Sequence, residues 1–140
     1  MSFTTPALRN IAPKKINEDV VVPVSRMPAL IEGIADLSER HAITIVNFGH
    51  AGNGNIHVNL LVNPDDNEEM GRAEACLAEL FELVLGLDGT LSGEHGIGMV
   101  KRPFVARELD PVALQLMQQI KRQFDPLGLL NPGKAIPDPV

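Results

Sequence analysis

Two β-branched, apolar runs, residues 43–48 and 56–62, stand only seven residues apart, and three of those seven are glycine. A connection that short makes the runs an antiparallel hairpin and commits the chain to a sheet. Period two then puts Ile56, Val58, Leu60 and Val62 on one face of the second strand, and His57, Asn59 and Leu61 on the other. Helical stripes flank the hairpin: Met27, Leu30, Ile31, Ile34 and Leu37 before it, and Met70, Ala73, Leu77, Leu80, Val84 and Leu87 after it. Ser25 is the expected N-cap of the first helix. Short strands are expected at residues 20–22, ending at Pro23, and at 90–92.

The resulting order, β-α-β-β-α-β, predicts an α+β fold: a ferredoxin-like split βαβ sheet with helices on one face. A further C-terminal helix opens with Asp110 as N-cap and Pro111 at its first position. Its apolar stripe is Ala113, Leu116, Met117, Ile120 and Phe124, and a tail with four prolines follows. Residues 1–19 read as a polar lead-in broken by Pro6 and Pro13, and residues 20–140 as one domain. The length of 140 residues, 44% of them hydrophobic, suits a single core.

Charge and composition exclude several classes of function. Net charge is −6 and there is no basic run, which argues against nucleic acid. No apolar run reaches the roughly 18 residues of a transmembrane helix, and residues 1–10 lack a signal-peptide pattern. The single cysteine, Cys76, rules out an internal disulfide and suits a reducing compartment. Its neighbours Ala75, Leu77 and Leu80 mark it as a small buried hydrophobe.

The chemistry concentrates in two loops. Six of the twelve glycines lie in them: Gly49, Gly52 and Gly54, then Gly93, Gly96 and Gly98. Three of the four histidines, His50, His57 and His95, lie in or beside the same loops, with Glu94 next to His95. His50 and His57 bracket the hairpin turn, so the fold brings them together. Two imidazoles and a carboxylate form a three-ligand set with open positions, the pattern of a catalytic metal site. Zinc suits that set first, with iron or manganese behind it. His95 is then free to act beside the metal. Histidines in hairpin loops also serve simply as turn residues, so spacing alone leaves both readings open. Neither loop has the Gly-Lys-Ser/Thr of a phosphate loop or the glycine spacing of a dinucleotide fingerprint.

Three segments in order resemble one family. They are Gly49-His50-Ala51-Gly52-Asn53-Gly54-Asn55-Ile56-His57-Val58-Asn59, then Gly89-Thr90-Leu91-Ser92-Gly93-Glu94-His95-Gly96-Ile97-Gly98, and a closing Phe124-Asp125-Pro126 through Asn131-Pro132-Gly133-Lys134. Residues 18–28 resemble the start of the same region, and the likeness spans about residues 15–137. The family is the C-terminal domain of FAD-linked oxidases, flavin-dependent 2-hydroxy-acid oxidoreductases of the glycolate and D-lactate type. The resemblance implies a metal held by His50, His57 and Glu94, substrate contacts from Asn59 and His95, and His95 as the general base. It implies that Asn131 lies near the flavin and that Lys15 is a match for a carboxylate-binding residue.

It also implies that FAD is held by an N-terminal flavin-binding domain absent from these 140 residues, a partner this chain would need for turnover. Apolar surface left bare by that absence predicts self-association into a homo-oligomer. The implied location is cytoplasmic, peripheral at the inner membrane face. Where the family often carries Asp in the first loop, this chain has Asn53, one negative charge fewer beside the metal. Two alternatives to the oxidoreductase stand beside it: a metal-dependent hydrolase in which Glu94 or His95 activates water, and a non-catalytic binding module.

Overall fold

The computed structural model describes residues 13–50 and 52–138. The described residues fall into two compact units, divided after Gly93.

The first unit is a three-stranded antiparallel sheet with two helices. Its strands are β1 (Lys14–Val21), β2 (Thr44–His50) and β3 (Asn55–Val62), in the order β1-β3-β2. Helix α1 (Met27–His41) joins β1 to β2, and α2 (Asn67–Gly86) follows β3. The expected fourth strand contracts to one antiparallel bridge, Thr90 with Val21 at the edge of β1. Order and connections are otherwise those of the split βαβ arrangement, so the α+β expectation holds.

The register divides the sheet into two faces. Val20, Ile56, Val58, Leu60 and Val62 are buried on one, with α1 packed on β2, α2 on β3, and the helices on each other. Their inward faces are Leu30, Ile34 and Leu37 from α1, and Ala73, Cys76, Leu77, Leu80, Phe81 and Val84 from α2. This is the core of the unit, and Glu18 is the buried acidic exception on the sheet's apolar face. The exposed edges of the helices are tied by charge: Glu79 of α2 meets Arg40 at 2.7 Å and His41 at 3.0 Å.

Two local expectations change. The first strand begins at Lys14, not near residue 20, so its first six residues lie in what reads as lead-in. Ser25 caps nothing: it sits inside a 3-10 turn, Val24–Arg26, which follows Pro23 and feeds α1 without a side-chain cap. Asp66, by contrast, caps α2 by accepting from the Glu68 and Glu69 amides at 2.9 and 3.0 Å.

The second unit holds a single helical turn, α3 (Val105–Glu108), and α4 (Pro111–Phe124). Asp110 caps α4 as expected, its Oδ1 accepting from Val112 N at 2.8 Å. Its apolar stripe is uncovered among the described residues: no residue of α4 is buried, and Leu116, Ile120 and Phe124 are 55%, 51% and 80% exposed. The tail folds back on this helix. Asp125 accepts from the Leu129 and Leu130 amides at 2.8 and 3.0 Å and pairs with Lys121. Gln118 donates to Pro137 O at 3.0 Å, and Arg102 to Ile136 O at 3.1 Å. No helix among the described residues is long and apolar enough to cross a membrane.

Candidate functional site

The second face of the sheet is where the chemistry lies. Alternation that sends Val20, Ile56, Val58 and Leu60 into the core sends Asn17, Asp19, Asn55, His57 and Asn59 to the other side. From β2 the same face receives Val46, Phe48 and His50. Lys15 shares the face at its far end, opposite Leu61.

The turn between β2 and β3 is shorter than expected because both strands extend into the glycine-rich segment. Ala51 lies outside the described residues. Asn53 organises the rest: its amide donates to His50 O at 3.1 Å and its Oδ1 accepts from Asn55 N at 3.2 Å. An aspartate would accept the same bond, so Asn53 keeps the turn while lowering its charge. Gly54 has φ +74°, and a Cβ there would stand 2.0 Å from Val22 O, so only glycine fits.

This turn places the two predicted histidine ligands side by side. The rings of His50 and His57 meet edge to face with centroids 6.3 Å apart. A tetrahedral ion would set two imidazole centroids roughly 5 Å apart. About an ångström of closure, through the exposed His50 side chain, separates this arrangement from a ligating one. His57 is half-buried and backed by Phe48, centroids 5.4 Å apart.

Two atoms on this face lack a partner. Asn55 Oδ1 and Asn59 Oδ1 are buried, and neither accepts a hydrogen bond among the described residues. Asn59 uses only its Nδ2, donating to Val46 O at 3.2 Å. A buried acceptor without a donor costs about 1–3 kcal/mol. Two of them beside two imidazoles suit a ligand that brings positive charge or a hydroxyl proton. The donor set therefore fits a divalent cation.

The segment after the Thr90 bridge crosses this face. Ser92 Oγ donates to Asp19 Oδ1 at 3.4 Å. A Cβ on Gly93 would lie 2.8 Å from Asn55 Oδ1, so glycine is needed for the close approach. The first unit ends at Gly93, and Glu94 and His95 open the second, both exposed.

Asn131 belongs to the second unit. It is exposed, with φ +47°, and lines a cavity of about 270 Å³ between α4 and the tail, with Arg102, Gln118 and Lys134. That volume is below the roughly 300–1,000 Å³ that enclose drug-sized ligands, so the cavity does not enclose a whole FAD. Sequence reasoning missed Asp19 and Asn55, whose place on the face emerges only from the cross-strand register.

The family model described as FAD linked oxidases, C-terminal domain, matches residues 1–135. The glycolate oxidase subunit GlcD of Bacillus subtilis (strain 168) is 39% identical over 128 residues, which cover 91% of this chain and 27% of that protein. A probable mitochondrial D-lactate dehydrogenase of Danio rerio is 40% identical over 124 residues, covering 88% and 25%. The D-2-hydroxyglutarate dehydrogenase of Stutzerimonas stutzeri (strain A1501) is 37% identical over 120 residues, covering 83% and 26%. The chain spans about a quarter of the length of these curated relatives.

Proposed function

The chain belongs to the family of FAD linked oxidases, C-terminal domain, and from that premise we propose that it is the substrate- and metal-binding part of a flavin-dependent 2-hydroxy-acid oxidoreductase. The observation that carries this reading is the acceptor-rich face: His50 and His57 edge to face, with the unpartnered Oδ1 atoms of Asn55 and Asn59. The relatives named for glycolate, D-lactate and D-2-hydroxyglutarate support 2-hydroxy acids as the substrate class.

In this reading His50, His57 and Glu94 hold a divalent cation, zinc by the chemistry of the set, with positions left open. A cation there would supply Lewis acidity at the substrate oxygens, and FAD, bound by the rest of the enzyme, would supply the hydride acceptor. This chain's own residues do the rest. Asn59 Oδ1 accepts the hydroxyl proton's hydrogen bond and orients the substrate. His95 removes that proton as general base, a task that imidazole suits near neutral pH. Lys15, at the far end of the face, is the candidate partner for a substrate carboxylate. Asn131 is the candidate contact to the flavin.

The test is metal per chain by plasma mass spectrometry on tag-free protein, beside the His50→Ala, His57→Ala double variant. About one equivalent of zinc, iron or manganese, lost in the variant, supports the reading. Equal metal in both proteins overturns it. In the full-length enzyme, His95→Ala should abolish most turnover with metal content intact, and normal turnover would remove His95 from the base role.

A further inference from the structure

Asn55 opens β3, the central strand, and is paired with Val21 of β1 on one side and His50 of β2 on the other. Its amide N–H also donates to Asn53 Oδ1 at 3.2 Å, so the backbone carrying this side chain is held from three directions. The residue is 7% exposed, and its Oδ1 is buried without a hydrogen bond among the described residues. Glycine keeps room beside that oxygen: a Cβ on Gly93 would stand 2.8 Å from Oδ1 and 2.9 Å from Val21 Cγ2. A buried acceptor fixed in this way calls for a donor or a cation. A small hydroxy acid at Asn59 does not serve it. The two asparagines lie four residues apart on one strand, about 13 Å between Cα atoms, and one hydroxyl reaches only one of them. The neighbours of Asn55 on this face are the two imidazoles. His50 stands directly across the ladder, roughly 4.5–5.5 Å away by Cα, and His57 two residues along, about 6.7 Å away.

We propose that Asn55 Oδ1 is a further ligand of the cation that His50 and His57 hold, a neutral oxygen added to their two ring nitrogens. Amide carbonyls are ordinary ligands of divalent ions, and they suit the harder ions best. This assignment rests on the proposed metal site and deepens it: the ion gains one ligand, and manganese or iron gains on zinc. Because the oxygen meets no partner among the described residues, removing it costs the metal-free fold nothing and costs the ion a ligand. That split separates ligation from a structural role.

The experiment titrates cobalt(II) into the 140-residue chain and into its Asn55→Leu, Asn55→Ala and Asn55→Asp variants, and follows urea unfolding of the metal-free proteins. Cobalt reads both binding and ligand number, since its visible absorption strengthens as coordination falls toward tetrahedral. The leucine and alanine variants should bind cobalt at least about tenfold more weakly, the loss that even an outer partner of a ligand produces. Their visible band per bound ion should be stronger, and their metal-free forms should unfold at the wild-type urea concentration or above. Asn55→Asp, which keeps an oxygen in place, should retain wild-type affinity or better and the wild-type band. Unchanged affinity or an unchanged band in the folded leucine and alanine variants overturns the proposal. So does failure of both to fold without metal, because the amide is then holding the chain together. If the wild type binds no cobalt, the metal site itself falls and this ligand with it. Wild-type binding with indifferent variants removes Asn55 alone.

Discussion

Asn59 reaches across the hairpin to Val46, its directly paired neighbour: Nδ2 donates to Val46 O at 3.2 Å, while Oδ1, equally buried, meets no donor among the described residues. The amide is anchored by one end, and the proposed function gives the other end to the ligand. Replacing it with leucine loses one hydrogen bond, about 0.5–1.5 kcal/mol, and removes an unsatisfied acceptor costing about 1–3. Asn59→Leu should therefore make the ligand-free chain more stable by about 1 kcal/mol in urea unfolding, while binding of a 2-hydroxy acid disappears. A large destabilisation would show that Asn59 is structural.

The two histidines should separate stability from ligation. His50 is exposed and His57 is half-buried against Phe48. Each single alanine variant should lower metal content. His50→Ala should leave unfolding within about 0.5 kcal/mol of wild type, whereas His57→Ala should cost more. Chemical denaturation beside metal analysis of the same samples tests both halves.

Asp125 ties the tail to α4. The Lys121 ammonium holds its carboxyl below the ordinary value of 3.8, against partial desolvation, helped by the Leu130 and Leu129 amides. A lowered folded value stabilises the pinned tail above the unfolded value and loses that contribution as pH falls through the folded one. Amide shifts of Leu129 and Leu130 should stay constant through the neutral range and move only in strong acid. In Asp125→Asn they should start displaced and show no such acid transition.

Cys76 should be inert in the native chain. Burial, then the Glu79 charge, pushes its thiol up to about 11, opposed by Arg40. At about pH 8 roughly a thousandth is thiolate. Alkylation by iodoacetamide should proceed only at the rate of unfolding. Rapid native labelling would show that α2 opens.

The exposed stripe of α4 should govern association. Leu116→Gln, Ile120→Gln and Phe124→Gln together should change unfolding little, because these side chains are already in water. By contrast, Leu80→Ala in the core should cost about 2–5 kcal/mol. Light scattering should show wild type self-associating and the triple variant monomeric. A monomeric wild type would contradict this.

Much of the fold was legible because apolar periodicity is a local signal. The stripes at Leu30, Ile34 and Leu37 and at Ala73, Leu77 and Leu80 are buried, as is the alternation from Ile56 to Val62. Periodicity shows which side of an element is apolar, not whether anything covers it, and the α4 stripe is exposed. The start of β1 was hidden because Asn17 and Asp19 look like polar lead-in, and Glu18 breaks the apolar alternation of Ile16 and Val20. Of the site, His50 and His57 were legible from a short hairpin connection. Asp19 and Asn55 were not, because only the pairing of strands far apart in sequence puts them there.

That pairing has a consequence for change over evolutionary time. In β1 and β3 the odd-numbered positions carry the polar face and the even-numbered ones the core face, while β2 is offset by one. Point substitutions can therefore retune the ligand with little penalty to packing. A single-residue insertion in β3 cannot, because it would exchange the two faces and send His57 and Asn59 toward the helices. Drift in this strand should proceed by replacement and almost never by a change of length.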